Sequence, residues 1–127
     1  MQVWVNRLLA AGAGFAIWAL FSLPMLTGRS GIREAWDFPA YWTAGIPLLV
    51  VAVMAVGYIG DDVPWKLALW TLAGHFLGVV LVKQPTADFG LLPLSLMFLG
   101  LPGFGAFTVA AWFGRWLRQR QAEENWP

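Results

Sequence analysis

The chain contains no cysteine and a single histidine, and only 12% of its 127 residues are charged. Without cysteine there are no disulfides, zinc–thiolate sites, iron–sulfur clusters or thiol redox chemistry, and cysteine usage gives no clue to compartment. Soluble domains devote about 25% of their residues to Asp, Glu, Lys and Arg. Half that charge cannot cover the surface of a small globule in water, because a small domain leaves much of its chain at the surface. No Asp or Glu interrupts the four long apolar runs, which argues against antiport through a membrane carboxylate. Nor is there a Ser–His–acid set, a pair of acids suited to acid–base work, or a glycine loop that would cradle phosphate. Enzymatic activity is therefore not expected, and neither is a metal or cofactor. A net charge of +1 supplies no field that would draw nucleic acid.

What is present is apolar: 59% of the residues are hydrophobic and mean hydropathy is +0.64. Four runs are long enough to span hydrocarbon, which takes about 20 residues each. They cover approximately residues 8–26, 41–59, 65–82 and 89–116. Six of the nine tryptophans (Trp4, Trp36, Trp42, Trp65, Trp112 and Trp116) fall at or near the ends of these runs, as in the aromatic belts of membrane proteins. The first run imitates a signal peptide, but it is long for one and no small-residue cleavage site follows it. Pro47, inside the second run, is expected to kink its helix. Between the first two runs Ser30 can cap a short helix. Ile32, Ala35 and Trp36 fall on one side of it and Arg33, Glu34 and Asp37 on the other, a pattern suited to a helix lying in the headgroup region.

The fold class expected is thus all-α: a polytopic, antiparallel four-transmembrane-helix bundle over residues 1–120, with a short interfacial helix between the first two spans and a polar tail over residues 121–127. Orientation follows from the basic residues. With the N-terminus inside, Arg7, Lys66, Arg115, Arg118 and Arg120 are cytoplasmic and Arg29, Arg33 and Lys83 are outside, which favours both termini in the cytoplasm. The expected location is the inner membrane of a bacterium or archaeon.

His75 is the sharpest chemical feature. It lies midway between Lys66 and Lys83, which mark the ends of the third run, and so near the centre of the bilayer. A charge at that depth costs about 2.5–3.5 kcal/mol on insertion scales, so a neutral imidazole is expected at pH 7. A hydrogen-bonded histidine joining helices is the plainest reading. A place on a solute or proton pathway is the functional one. Its neighbours one turn away include Thr71 and Gly78, which suggests that it faces other helices. Pro102 removes a backbone donor and frees the carbonyl of Phe98, so this stretch should face protein or a wet cavity. Pro102 sits at a depth similar to that of His75. Thr71, Ser95, Phe98 and Pro102 together with His75 form the expected pathway. A simple proline kink is the alternative for the Gly100–Gly105 segment.

Gly12 with Ala16, and Gly74 with Gly78, are spaced four apart, as in close helix contacts in membranes. Arg29, Arg33, Glu34, Asp37, Lys83 and Asp88 fall in the outer loops, where they would ring an entrance or merely be solvated. The function expected is transport or permeation of a small solute or ion by an oligomer. One alternative is a non-catalytic subunit of a larger membrane complex. A third is a haem- or quinone-associated anchor. The expected partners are the lipid bilayer and either further copies of the chain or another membrane protein.

Overall fold

The computed structural model describes residues 1–26, 38–81 and 92–124. Every regular element among them is helical: α1 (Gln2–Leu26), a π turn (Tyr41–Gly45) running into α2 (Ile46–Ile59), α3 (Pro64–Leu81) and α4 (Leu92–Glu124). Three stretches are long and apolar enough to cross a membrane, Gln2–Leu23, Tyr41–Ile59 and Pro64–Leu81. Large apolar side chains are exposed on all four helices, among them Leu8, Leu20, Leu48, Val51, Leu77, Val80, Leu101 and Val109. Apolar surface on that scale is unfavourable in water and neutral in hydrocarbon, so the helices fit a membrane.

Several boundaries differ from those expected. α1 begins at Gln2 and carries Arg7 inside it, because Asp62 meets that charge (see below). α4 runs as one helix of 33 residues through Gly100, Pro102, Gly103 and Gly105 and on to Glu124. Pro102 therefore does not break it, and the first residues of the expected tail are helical. Pro47 sits in the first turn of α2, where a missing N–H costs little. Just upstream, the Ile46 N–H reaches back to the Tyr41 carbonyl, the wider i→i+5 spacing of a π turn. Widening the coil there relieves the clash between a proline ring and the carbonyl four residues earlier. The interfacial helix expected between the first two runs lies outside the described residues.

Two helix pairs pack with backbones nearly touching. On α1 and α3, a side chain at Gly14 would collide with the Thr71 carbonyl, and one at Gly74 would collide with the Ala11 carbonyl. On α2 and α4, a side chain at Gly57 would strike Ala111, and one at Gly114 would strike the Met54 carbonyl. Each seam thus rests on a reciprocal pair of glycines, the usual way for membrane helices to gain van der Waals contact. Within each pair the helices run in the same direction. Ala11 meets Gly74 and Trp18 meets Gly78, while Gly57 meets Ala111 and the Tyr58 hydroxyl donates to Gln121. Ala10, Leu49, Val53, Leu67, Ala68, Phe107 and Ala111 fill the space between the pairs.

One end of the molecule is tied together by polar contacts. Arg7 grips Asp62 with Nε–H to Oδ2 at 2.6 Å and Nη2–H to Oδ1 at 3.3 Å. The Val63 N–H donates to Asp62 Oδ1 at 2.8 Å, and Arg118 pairs with Asp61. Asn6, fully buried, packs against Gly60. The Asp62 side chain is only 4% exposed. The hydrogen bond from Arg7 is the main reason that its carboxyl is held below the ordinary 3.8. A carboxylate whose pKa is lowered by folding stabilises the fold above its unfolded value and loses that contribution as pH falls through the folded one. Thermal unfolding in detergent should therefore show the wild type losing more stability than Asp62→Asn as pH is lowered below about 4. Parallel loss in both proteins would show that the pair contributes nothing.

Candidate functional site

The π turn carries Tyr41 inward from the start of α2 and buries it to 2% exposure. Thr43 on the same turn donates to the Pro39 carbonyl at 3.2 Å, holding the entry to the helix. Opposite, α3 presents His75, also buried, with its Nε2 at 3.0 Å from the Tyr41 hydroxyl. A buried imidazole nitrogen left without a partner is costly, and Tyr41 supplies that partner across 34 residues of chain.

Aromatic rings enclose the pair. Trp18 of α1 stands edge-on to His75 at 5.2 Å and to Tyr41 at 5.9 Å. Phe76 stands edge-on to His75 at 5.9 Å. Phe21 and Trp42 approach Tyr41 at 6.1 and 5.2 Å in the same manner. Edge-to-face contacts of this kind add about 0.5–1.5 kcal/mol each beyond simple burial. The result is a rigid wall in which one face of the Tyr41–His75 pair is sealed by α1.

The other face borders a cavity of about 210 Å³. Tyr41, Trp42 and Ile46 come from the second span, Leu72, His75 and Phe76 from α3, and Pro102, Gly103, Ala106 and Phe107 from α4. The small residues Gly103 and Ala106 leave the room that larger ones would fill. Among the described residues no charged one lines it. The cavity is smaller than the roughly 300–1,000 Å³ of sites for drug-sized ligands.

Of the residues expected on a pathway, His75 and Pro102 are brought to the wall of this one cavity. Thr71 is not among its lining residues. It is fully buried, its hydroxyl donates to the Leu67 carbonyl at 2.9 Å, and its backbone lies against Gly14. The side chains of Ser95 and Phe98 lie outside the described residues, as do Arg29, Arg33, Glu34, Asp37, Lys83 and Asp88. Gly74 meets the backbone of Ala11, and Gly78 meets Trp18. Gly12 and Ala16 are exposed on the outer side of α1, with nothing within 4 Å of where a Gly12 side chain would stand. The close contact expected of that face is instead made by Gly14.

Sequence reasoning missed Tyr41 as the partner of His75, and it missed the Arg7–Asp62 pair. The signal for the first was available in principle, because a histidine inside an apolar run needs a partner and few polar side chains stand on the other runs. For the second, inside orientation of the N-terminus already puts Arg7 and Asp62 at the same membrane surface. Among the described residues no cluster of His, Asp and Glu could hold a metal ion. No protein-family model, curated protein or solved structure matches the chain.

Proposed function

We propose that this is a four-span membrane protein, both termini cytoplasmic, that binds a small uncharged molecule in the Tyr41–His75 cavity as the first step of carrying it within or across the bilayer. The observation that carries the reading is the cavity itself: an apolar space beside a hydrogen-bonded polar pair that joins α3 to the start of the second span, walled by three helices. Apolar pockets with a few convergent polar groups are the usual form of small-molecule sites. The described lining residues are all uncharged, which favours a neutral solute over an ion, since these residues offer a bare ion no counter-charge.

A fourth span is supported by the 23 residues Leu92–Gly114, which contain no Asp, Glu, Lys or Arg. The orientation is supported by the polar ties Arg7–Asp62, Arg118–Asp61 and Tyr58–Gln121. They gather the start of α1, the α2–α3 turn and the end of α4 at one surface, together with Lys66, Arg115 and Arg120. That concentration of basic residues marks a cytoplasmic side.

The test is a thermal-shift screen of small neutral compounds against the purified protein and Ala106→Trp, whose indole would fill the cavity from an exposed position. A compound at 100 times its Kd stabilises by about 2.7 kcal/mol, readily seen in the wild type and expected to vanish in the variant. If no compound distinguishes the two proteins, the cavity is not a binding site.

A second reading, assembly with further copies or another membrane protein, is favoured by one observation. Gly12 and Ala16 on α1 and Gly105 on α4 are exposed small residues with no neighbour packed on the two glycines. Since the chain has no cysteine, Gly12→Cys introduces a single reporter. Oxidation in native membranes should trap Gly12→Cys as a disulfide dimer and leave Ala10→Cys, fully buried, as monomer. Equal behaviour of the two would remove the α1 face as a contact.

A further inference from the structure

The exposure of the residues around the cavity shows where it opens. Among the described lining residues three are exposed: Trp42 on the second span, and Pro102 and Ala106 on α4. Those from α3 are not, since His75 is buried and Leu72 and Phe76 are half-buried. The mouth therefore lies between the start of the second span and α4. At the back, Trp18 of α1 stands edge-on to Tyr41 and His75. Further along the same two helices, Phe107 is buried and the backbones meet at Gly57 and Ala111. The gap thus ends before the Arg118–Asp61 contact. Leu101, next to Pro102, and Leu48, two residues beyond Ile46, are large exposed apolar side chains, so the surroundings of the mouth are as apolar as the rest of the helix flanks.

Although Tyr41 and His75 stand in the wall, its accessible surface is almost entirely apolar. The Tyr41 hydroxyl and His75 Nε2 are bonded to each other at 3.0 Å, and Nδ1 is buried. The pair presents little to an occupant. From this we infer that the cavity opens sideways into hydrocarbon, between the start of the second span and α4, and takes an apolar molecule of about one substituted ring that arrives through the bilayer. The inference rests on the four-span, binding-site reading proposed above, and adds the route of entry and the chemical class of the occupant. The flank of a membrane-spanning helix faces lipid, so whatever passes this mouth must first dissolve there. A polar group carried in with it would leave its hydrogen-bonding surroundings and find no replacement on an apolar wall. Size follows from volume: apolar cavities of about 150 Å³ stay dry and take up benzene, and this one offers about 210 Å³. A ring is favoured over the straight acyl chain of a lipid because Tyr41, Trp42, Phe76 and Phe107 stand in the wall, and a ring gains edge-to-face contacts that a chain cannot make.

Three probes of equal heavy-atom count test the class: ethylbenzene, benzyl alcohol and n-octane. Each is equilibrated with protein-containing and empty lipid nanodiscs at equal mole fraction in the lipid, and protein-specific binding is taken from the difference. Ethylbenzene should bind about tenfold more tightly than benzyl alcohol, the scale of one hydroxyl buried without a partner. It should bind about fivefold more tightly than n-octane, the stand-in for an acyl chain. Ala106→Trp should abolish the ethylbenzene signal. Benzyl alcohol binding as tightly as ethylbenzene overturns the apolar class, and n-octane doing so overturns the ring, while either leaves the cavity a site. Ethylbenzene binding unchanged in Ala106→Trp overturns the binding-site reading itself. The route is read separately, since the chain has no cysteine and a nitroxide can be placed on the Ala106→Cys variant alone. Its collisions are measured with oxygen, which concentrates in hydrocarbon, and with nickel ethylenediaminediacetate, which stays in water. Val51→Cys, exposed within the second span, and Glu124→Cys, exposed at the end of α4, give the lipid and water references. The Ala106→Cys label should match Val51→Cys. Matching Glu124→Cys would open the mouth to water and overturn sideways entry, whatever the probes do.

Discussion

Replacing Gly74 with valine should keep α1 from seating on α3 and lower stability by about 3 kcal/mol, the upper end of the range for overpacking. The obstacle is the Ala11 carbonyl. It belongs to the backbone of the neighbouring helix and cannot swing aside as a long side chain would. Relief requires the two helices to move apart, which would also open the reciprocal contact at Gly14 and the wall of Trp18 against His75. The matched control is Gly12→Ala, two residues from Gly14 on the same helix. Open space surrounds it, so alanine there should leave stability unchanged or raise it by up to about 1 kcal/mol through helix propensity. Unfolding in mixed detergent micelles, followed by tryptophan fluorescence, reads both. A Gly74→Val protein as stable as the wild type would mean that α1 and α3 do not meet along this seam.

That pair of glycines also shows where the sequence is readable and where it is not. Hydropathy and length locate the helices well, because the requirement that an apolar helix span hydrocarbon acts on each run separately. Tyr41 to Ile59 is a case in point, and α3 begins and ends within a residue of the expected bounds. Which side of a helix meets its neighbour is another matter. Gly12 and Gly14 are both glycine in an apolar run, about 200° apart around α1 at the 3.6-residue period, and only the partner decides which of them is in contact. Arg7 was read as a boundary because a lone charge ends a span, but a charge matched by Asp62 does not. Pro47 announced a distortion without saying that it would take the form of a π turn. For the site, a lone histidine inside an apolar run marks His75 as a residue to be satisfied by a partner. Which residue that is cannot be read the same way, because the contact closes a loop of 34 residues and depends on the π turn that aims Tyr41.

The Tyr41–His75 bond should behave as a coupled unit. Tyr41→Phe keeps the ring in its place against Trp18 and Phe21 but leaves His75 Nε2 bare in an apolar surrounding, for which the cost is about 1–3 kcal/mol in protein interiors. His75→Leu strands the Tyr41 hydroxyl in the same way. In the double variant both polar groups are gone, and replacing both partners of a buried bond by apolar groups of similar shape is close to neutral. The double variant should therefore be more stable than the sum of the single losses predicts. The expected coupling is about 1 kcal/mol, because hydrogen bonds between membrane helices average about 0.6 kcal/mol and reach about 1.7. Those values are low because, in the unfolded-in-membrane state, polar groups also find partners. A four-protein cycle of unfolding measurements in one detergent system gives the number directly. Strict additivity would mean that the two side chains do not share a bond. Coupling of the expected size would show the pair to be a polar rivet between α3 and the start of the second span.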